Sequence, residues 1–195
     1  YLNGILTSTR SLGTTIVAAT GTLTIGRYGS GTNPTSSFAY FTGRIADFRV
    51  YNTNLSAAEI KKIYNNISGQ DFTNLQMRLS FTEGSGSTAY DTSGNSRNGT
   101  LVSGVSYIRS SINSLSFNGV SLNGTSSNIT TTYSPNIAQA FTFTLWIYPT
   151  TFGQYAPLFT VGNNDGYADA NEFQCEIDYS SNKIVIGQTN IFGHL

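Results

Sequence analysis

A two-residue alternation of apolar and polar side chains, repeated in short runs, constrains this chain more than any other feature. The runs cover 22–25, 43–51, 75–81, 114–117, 141–148, 157–161, 173–179 and 183–187, and Gly, Asn and Ser clusters separate them. Alternation with period two places one set of side chains on each face of a strand. β-Branched and aromatic residues fill these runs, as half-buried strands require. Many short strands between turn signals predict an all-β sandwich or jelly roll. The 195 residues suffice for one large all-β domain or two small ones, with a core that needs no staples.

One segment breaks the period. Ser56-Ala57-Ala58-Glu59 has the spacing of a capping box, in which the Ser hydroxyl and the Glu carboxylate satisfy orphan backbone donors reciprocally. Leu55, Ile60, Ile63 and Tyr64 recur at helical spacing, and Asn65, Asn66 and Gly69 supply the stop. A one-sided helix of about three turns is expected, lying on the sandwich. Residues 69–74 read as a linker between 1–68 and 75–195.

Composition narrows the partners. Ten basic and ten acidic residues give zero net charge, and only 10% of the chain is charged, against about 25% in an average domain. Phosphate backbones demand a surplus of Lys and Arg, so nucleic acid is excluded as a main partner. Lysines at 61, 62 and 183 alone make no polybasic membrane patch, and no apolar run approaches a bilayer span. Cys175 is the single cysteine, which leaves no disulfide framework or thiolate cluster, and it reads as a small buried residue. No basic segment followed by an apolar stretch reads as a signal peptide, and the start at Tyr1 suggests a processed product or part of a longer chain.

Several motifs together resemble a family. Gly43-Arg44-Ile45-Ala46-Asp47-Phe48-Arg49-Val50-Tyr51, followed by Asn54-Leu55-Ser56-Ala57-Ala58-Glu59-Ile60, resembles the end of a laminin-G-like, concanavalin-A-like jelly roll. Tyr1-Leu2-Asn3-Gly4 is similar to the hairpin before that ending. Leu79-Ser80-Phe81-Thr82-Glu83-Gly84-Ser85-Gly86, Tyr90-Asp91-Thr92-Ser93-Gly94-Asn95, Asn98-Gly99-Thr100, Leu115-Ser116-Phe117-Asn118-Gly119 and 141–147 resemble its beginning. Ala46 departs from the family, whose members often carry Asp there. The resemblance implies a concanavalin-A-like jelly-roll sandwich with one short surface helix. Its ending precedes its beginning here. Segments 1–68 and 75–195 are therefore expected to form one permuted sandwich or halves of two tandem domains, and 43–51 should lie beside 75–81.

Candidate chemistry is sparse. Glu176-Ile177-Asp178 resembles the Glu-x-Asp of some glucanases of this fold, whose second Glu follows two or three residues later. Ser180 and Ser181 stand there instead, and a retaining glycosidase needs two carboxyls. A strand with a polar outer face is the plainer reading. Asp165, Asp169 and Glu172, with several Asn between 163 and 172, form the best cation loop, and Ca²⁺ is the one cofactor suggested. Asp91 and Asn95 form a second cation candidate, for which an Asx-turn is preferred. Run 141–148 sets Thr142, Thr144, Trp146 and Tyr148 opposite Phe141, Phe143, Leu145 and Ile147. Thr144, Trp146 and Tyr148 suit a stacking and hydrogen-bonding sugar site, unless Trp146 belongs to the core. Asn54, Asn66, Asn98, Asn123 and Asn128 open glycosylation sequons.

The expected function is a non-catalytic glycan-binding or adhesive module of an extracellular, cell-surface or virion-surface protein, with a polysaccharide or glycoprotein glycan as partner. Self-association through strand or domain completion is the alternative, as a repeat or assembly subunit. A degenerate glucanase is the third reading.

Overall fold

The structure, a computed structural model, describes residues 1–9, 19, 21–28, 40–66, 70, 72–112, 115–151, 155–162, 172–178, 183–188 and 191–194. Its strands are β1 (Leu23–Ile25), β2 (Thr42–Tyr51), β3 (Leu75–Leu79), β4 (Thr88–Ala89), β5 (Gly99–Val102), β6 (Ser106–Ile112), β7 (Leu115–Asn123), β8 (Asn128–Thr131), β9 (Thr142–Pro149), β10 (Tyr155–Val161), β11 (Phe173–Asp178), β12 (Lys183–Gln188) and β13 (Ile191–His194). One helix, α1 (Ala57–Tyr64), is present among the described residues.

The strands form two antiparallel sheets, as the alternating patterns predict. One has eight strands in the order β13-β12-β11-β10-β1-β8-β5-β4. The other runs β3-β2-β7-β6, with β9 also pairing β2. Inner side chains of both sheets meet in one core that includes Leu23, Ile25, Ile45, Phe48, Met77, Leu79, Val120, Ile129, Phe159 and Val161. Phe143 and Phe159 approach with ring centroids 4.4 Å apart, and Phe48 meets Phe159 edge-on at 5.5 Å. Such aromatic pairs add to the burial of apolar area that stabilises a sandwich core.

Segments 1–66 and 75–194 interleave. β1 lies between β10 and β8, with Thr24 opposite both Thr160 and Thr130. β2 has β9 along one register, β7 beside its first half and β3 beside its second. The expected neighbours 43–51 and 75–81 are thus paired directly, Phe48 with Leu79 and Val50 with Met77. Gly43 permits the tight approach of β9: its φ is +149°, and a Cβ there would stand 2.5 Å from the Tyr148 carbonyl oxygen.

Within the expected linker, Gln70 and Phe72 dock against β2. Arg49 is almost fully buried, donates to Asp47, Tyr51 and Gln70, and sits 5.8 Å from the Phe72 ring centroid, as does Arg78. Asp47 occupies a bulge in β2 at φ 45°, a region Asp tolerates, and accepts from Arg78 Nε at 2.8 Å. The carboxylate at this turn of the strand comes from Asp47, next to the departing Ala46. Burial opposes its ionisation, but hydrogen bonds and charges from Arg49 and Arg78 outweigh that and hold it below its ordinary value.

The helix forms with the expected capping box: Glu59 N–H donates to Ser56 Oγ, and Ser56 N–H to the Glu59 carboxylate. It is shorter than the three turns expected, with eight residues and none fully buried. It ends where expected, with Asn65 as its C-cap. β4, β5, β6, β8 and β13 escape the alternation rule, because short stretches such as Gly99–Val102 and Asn128–Thr131 carry the Gly, Asn and Thr that otherwise signal turns.

Candidate functional site

The sequence-derived candidates separate in space. On β9, Phe141, Phe143, Leu145 and Ile147 pack against the core, as the alternation predicts. On the opposite face Thr142 Oγ1 accepts from Leu55 N–H and donates to the Thr53 carbonyl, tying the strand to the lead-in of α1. Trp146 is half-buried and stacks on Tyr64 of the helix, with centroids 5.3 Å apart and planes at 23°. One face of the indole is therefore occupied. Thr144 Oγ1 is buried without a hydrogen-bond partner among the described residues. Tyr148 is 61% exposed, with the Arg44 guanidinium 5.6 Å from its ring centroid. Of the three residues Thr144, Trp146 and Tyr148, Tyr148 alone is open.

The outer face of β11 differs from the solvated polar face expected of it. Gln174, Glu176 and Asp178 are as buried as Phe173, Cys175 and Ile177. The Tyr28 hydroxyl donates to Glu176. Burial pushes the Cys175 thiol up to about 12, with Glu176 adding to the shift. Ser180 and Ser181 lie outside the described residues, as do Asp165 and Asp169 of the cation loop. Glu172, the third of that set, is buried at the start of β11. Among the described residues no group of three His, Cys, Asp or Glu side chains could hold a metal.

Asp91 makes the Asx-turn preferred for it. Its Oδ1 accepts from Ser93 N–H and Arg78 N–H, and its Oδ2 from Arg97 N–H, each at 2.9 Å. Burial raises its pKa, but the three backbone donors and the Ser93 hydroxyl prevail and leave it below its ordinary value. Asn95 Nδ2 donates to the carbonyls of Leu75 and Gln76 at 3.1 Å. The turn is thereby laced to β3.

That lacing builds a site the motif search missed. Arg97 is carried to β3, where its Nη1 donates to Gln76 carbonyl at 2.8 Å and Gln76 Oε1 at 2.9 Å. Its guanidinium stands 4.0 Å from the Tyr133 ring centroid. Tyr133 is held by β1: Leu23 N–H donates to its carbonyl, and Thr131 Oγ1, which accepts from Tyr133 N–H, donates to the Leu23 carbonyl. Burial raises the Tyr133 phenol, Asp91 adds to this and Arg97 opposes it, so the hydroxyl stays protonated near neutrality. Between these groups lies a cleft of about 420 Å³, lined by Val50, Tyr51, Asn52, Gln76, Arg97, Tyr133–Asn136, Gln139 and Phe141. Its size falls in the range of small-molecule sites, on the order of 300–1,000 Å³. Arg97 and Tyr133 are distant in sequence and belong to no recognised motif; the turn beginning at Asp91 was the one available signal.

Among the sequons, Asn98, Asn123 and Asn128 use their side chains internally. Asn98 Oδ1 accepts from Asp91 N–H, Asn123 Oδ1 from three successive backbone donors, and Asn128 is 1% exposed. Asn54 and Asn66 are exposed.

Residues 1–61 match the family model of the concanavalin A-like lectin/glucanases superfamily, of the laminin G type. The two antiparallel sheets, and the one helix among the described residues, are consistent with a concanavalin-A-like all-β sandwich. No curated protein and no solved structure matches the chain. No helix among the described residues is long and apolar enough to cross a membrane.

Proposed function

We propose that this domain is a non-catalytic glycan-binding or adhesive module, displayed outside a cell or on a virion surface. The cleft carries the reading: amides of Asn52, Gln76, Asn136 and Gln139 surround a guanidinium–phenol stack. Amides both donate and accept, as sugar hydroxyls do. Among the described residues no carboxylate lines the cleft, whereas glycoside hydrolysis needs a flanking pair. Glu176 and Asp178 are buried on β11, which supports the non-catalytic reading further. Tyr148, with Thr144 and Trp146 behind it on β9, offers a second and shallower surface. Segments 1–68 and 75–195 are read as one permuted sandwich, and Ca²⁺ at Asp165, Asp169 and Glu172 as an accessory of its surface. Melting in excess Ca²⁺ against chelator tests the latter.

The test of function is a broad glycan screen on oligomerised protein beside a reducing-sugar assay on β-glucans. Binding without hydrolysis is expected, with single-site affinity between about 1 mM and 1 μM. Sugar release that disappears in Glu176→Gln would overturn the non-catalytic reading. One observation favours a second reading, a self-associating subunit: Tyr1, Leu2, Ile5 and Leu6 are all exposed, between 47% and 68%. Light scattering across a concentration series decides it.

A further inference from the structure

We infer that the cleft reads a carboxylate, so that its ligand is an acidic sugar; this inference rests on the glycan-binding reading above. Among the described residues, Arg97 is the one charged side chain that lines the cleft. Both hydrogens of its Nη1 are directed to Gln76 acceptors. Its Nε–H and Nη2 hydrogens make no hydrogen bond among the described residues. Those donors form the side of the guanidinium fork that matches the two oxygens of a carboxylate.

The surroundings favour charge over stacking. The Arg97 guanidinium covers one face of Tyr133, so that face cannot receive the C–H surface of a sugar. The ring instead orients the guanidinium, together with Gln76. Arg97 is already half-buried. A neutral sugar filling the cleft would strip more water from the cation and return only dipoles. A carboxylate would offset that desolvation with charge-assisted bonds. Asp91 does not line the cleft, and its oxygens already accept from three backbone N–H groups and the Ser93 hydroxyl. The amides of Asn52, Asn136 and Gln139 are left to read hydroxyls.

Two sources could present this group, uronates within a polysaccharide and sialic acid at a chain end. Calorimetric titration of the intact protein should use oligogalacturonate, sialyllactose and the carboxyl-reduced form of each. The acidic form of at least one should bind about tenfold tighter than its reduced counterpart, and more weakly as salt rises. Whichever acid binds names the source. Arg97→Lys keeps the charge and loses the fork, so the ratio of acidic to reduced affinity should fall from about tenfold toward one. The wild-type comparison stands even where the variant melts early. Equal binding of acidic and reduced forms overturns this inference and leaves the glycan reading intact. Failure of every glycan in the broad screen overturns both.

Discussion

The inner sides of β9 and β11 meet in one aromatic cluster, where Phe141 lies 5.3 Å from Phe173 and Phe143 lies 6.0 Å from it. Their outer sides diverge. On β9 the outer residues Thr142, Thr144 and Trp146 are half-buried, and Tyr148 stands in solvent. On β11 the outer residues Gln174, Glu176 and Asp178 are 6%, 4% and 4% exposed. Two strands with the same alternation thus have one open and one closed outer face. Polarity on a strand face states which groups need partners. Protein groups such as the Thr53 carbonyl and the Tyr28 hydroxyl supply them on both strands, and on β9 water supplies them at Tyr148.

Three experiments sharpen or break this contrast. The inner faces should respond alike: Phe173→Ala should cost about 3–5 kcal/mol, with Phe143→Ala toward the lower end, in urea unfolding. A small cost at Phe173 would mean that β11 is not a core strand. The outer faces should not respond alike. Glu176→Ala should cost about 1–3 kcal/mol by leaving the buried Tyr28–Glu176 contact half-made, whereas Tyr148→Ala should stay within about 0.5 kcal/mol. Equal costs would erase the distinction between the two faces.

Acid titration probes the carboxylates outside that contrast. Asp47 and Asp91 both have folded pKa values held below the ordinary 3.8. Their contribution to stability is therefore complete above that value and is lost as pH falls through the lower folded values. Arg78→Met removes a partner of Asp47 and lifts its folded pKa toward the ordinary value, so the loss should be smaller and complete at a higher pH, as read by urea unfolding across a pH series. The smallest signal is chemical. Cys175, on the inner face of β11 with its thiol raised to about 12, should resist alkylation at pH 8 until the protein unfolds. Labelling of the native protein would show that β11 is open.

The core was legible in the sequence because alternation reports a local requirement. Phe143, Leu145 and Ile147 face inward, as their spacing demands, and the capping box at Ser56 and Glu59 starts its helix where written. The Asp91 turn was legible for the same reason, since its bonds reach the near backbone. The cleft was not. Arg97 meets Tyr133 and Gln76 across 36 and 21 positions, and no period connects them. The stack of Tyr64 on Trp146 was foreshadowed only by the alternative that Trp146 belongs to the core. Its realisation depends on where α1 stops, which Asn65 marks as the local spacing indicated. The burial of Glu176 was also hidden, because the alternation of β11 specifies its own faces and is silent about what lies over them.

The placement of β1 between β8 and β10 has a consequence for how the chain assembles during synthesis. Leu23–Ile25 emerges early, yet its partners are Thr130 and Ile129 on one side and Phe159 to Val161 on the other. Until more than a hundred further residues have left the ribosome, the strand has no ladder to join. At about 5–20 residues per second, it waits for several seconds with its backbone groups unpaired. Closure of so long a loop precedes the contacts that reward it, which sets this sandwich among slow folders. The nascent protein is consequently most vulnerable to aggregation and proteolysis in the interval before residues 159–161 appear, and a chain lacking that strand would remain in the same exposed condition.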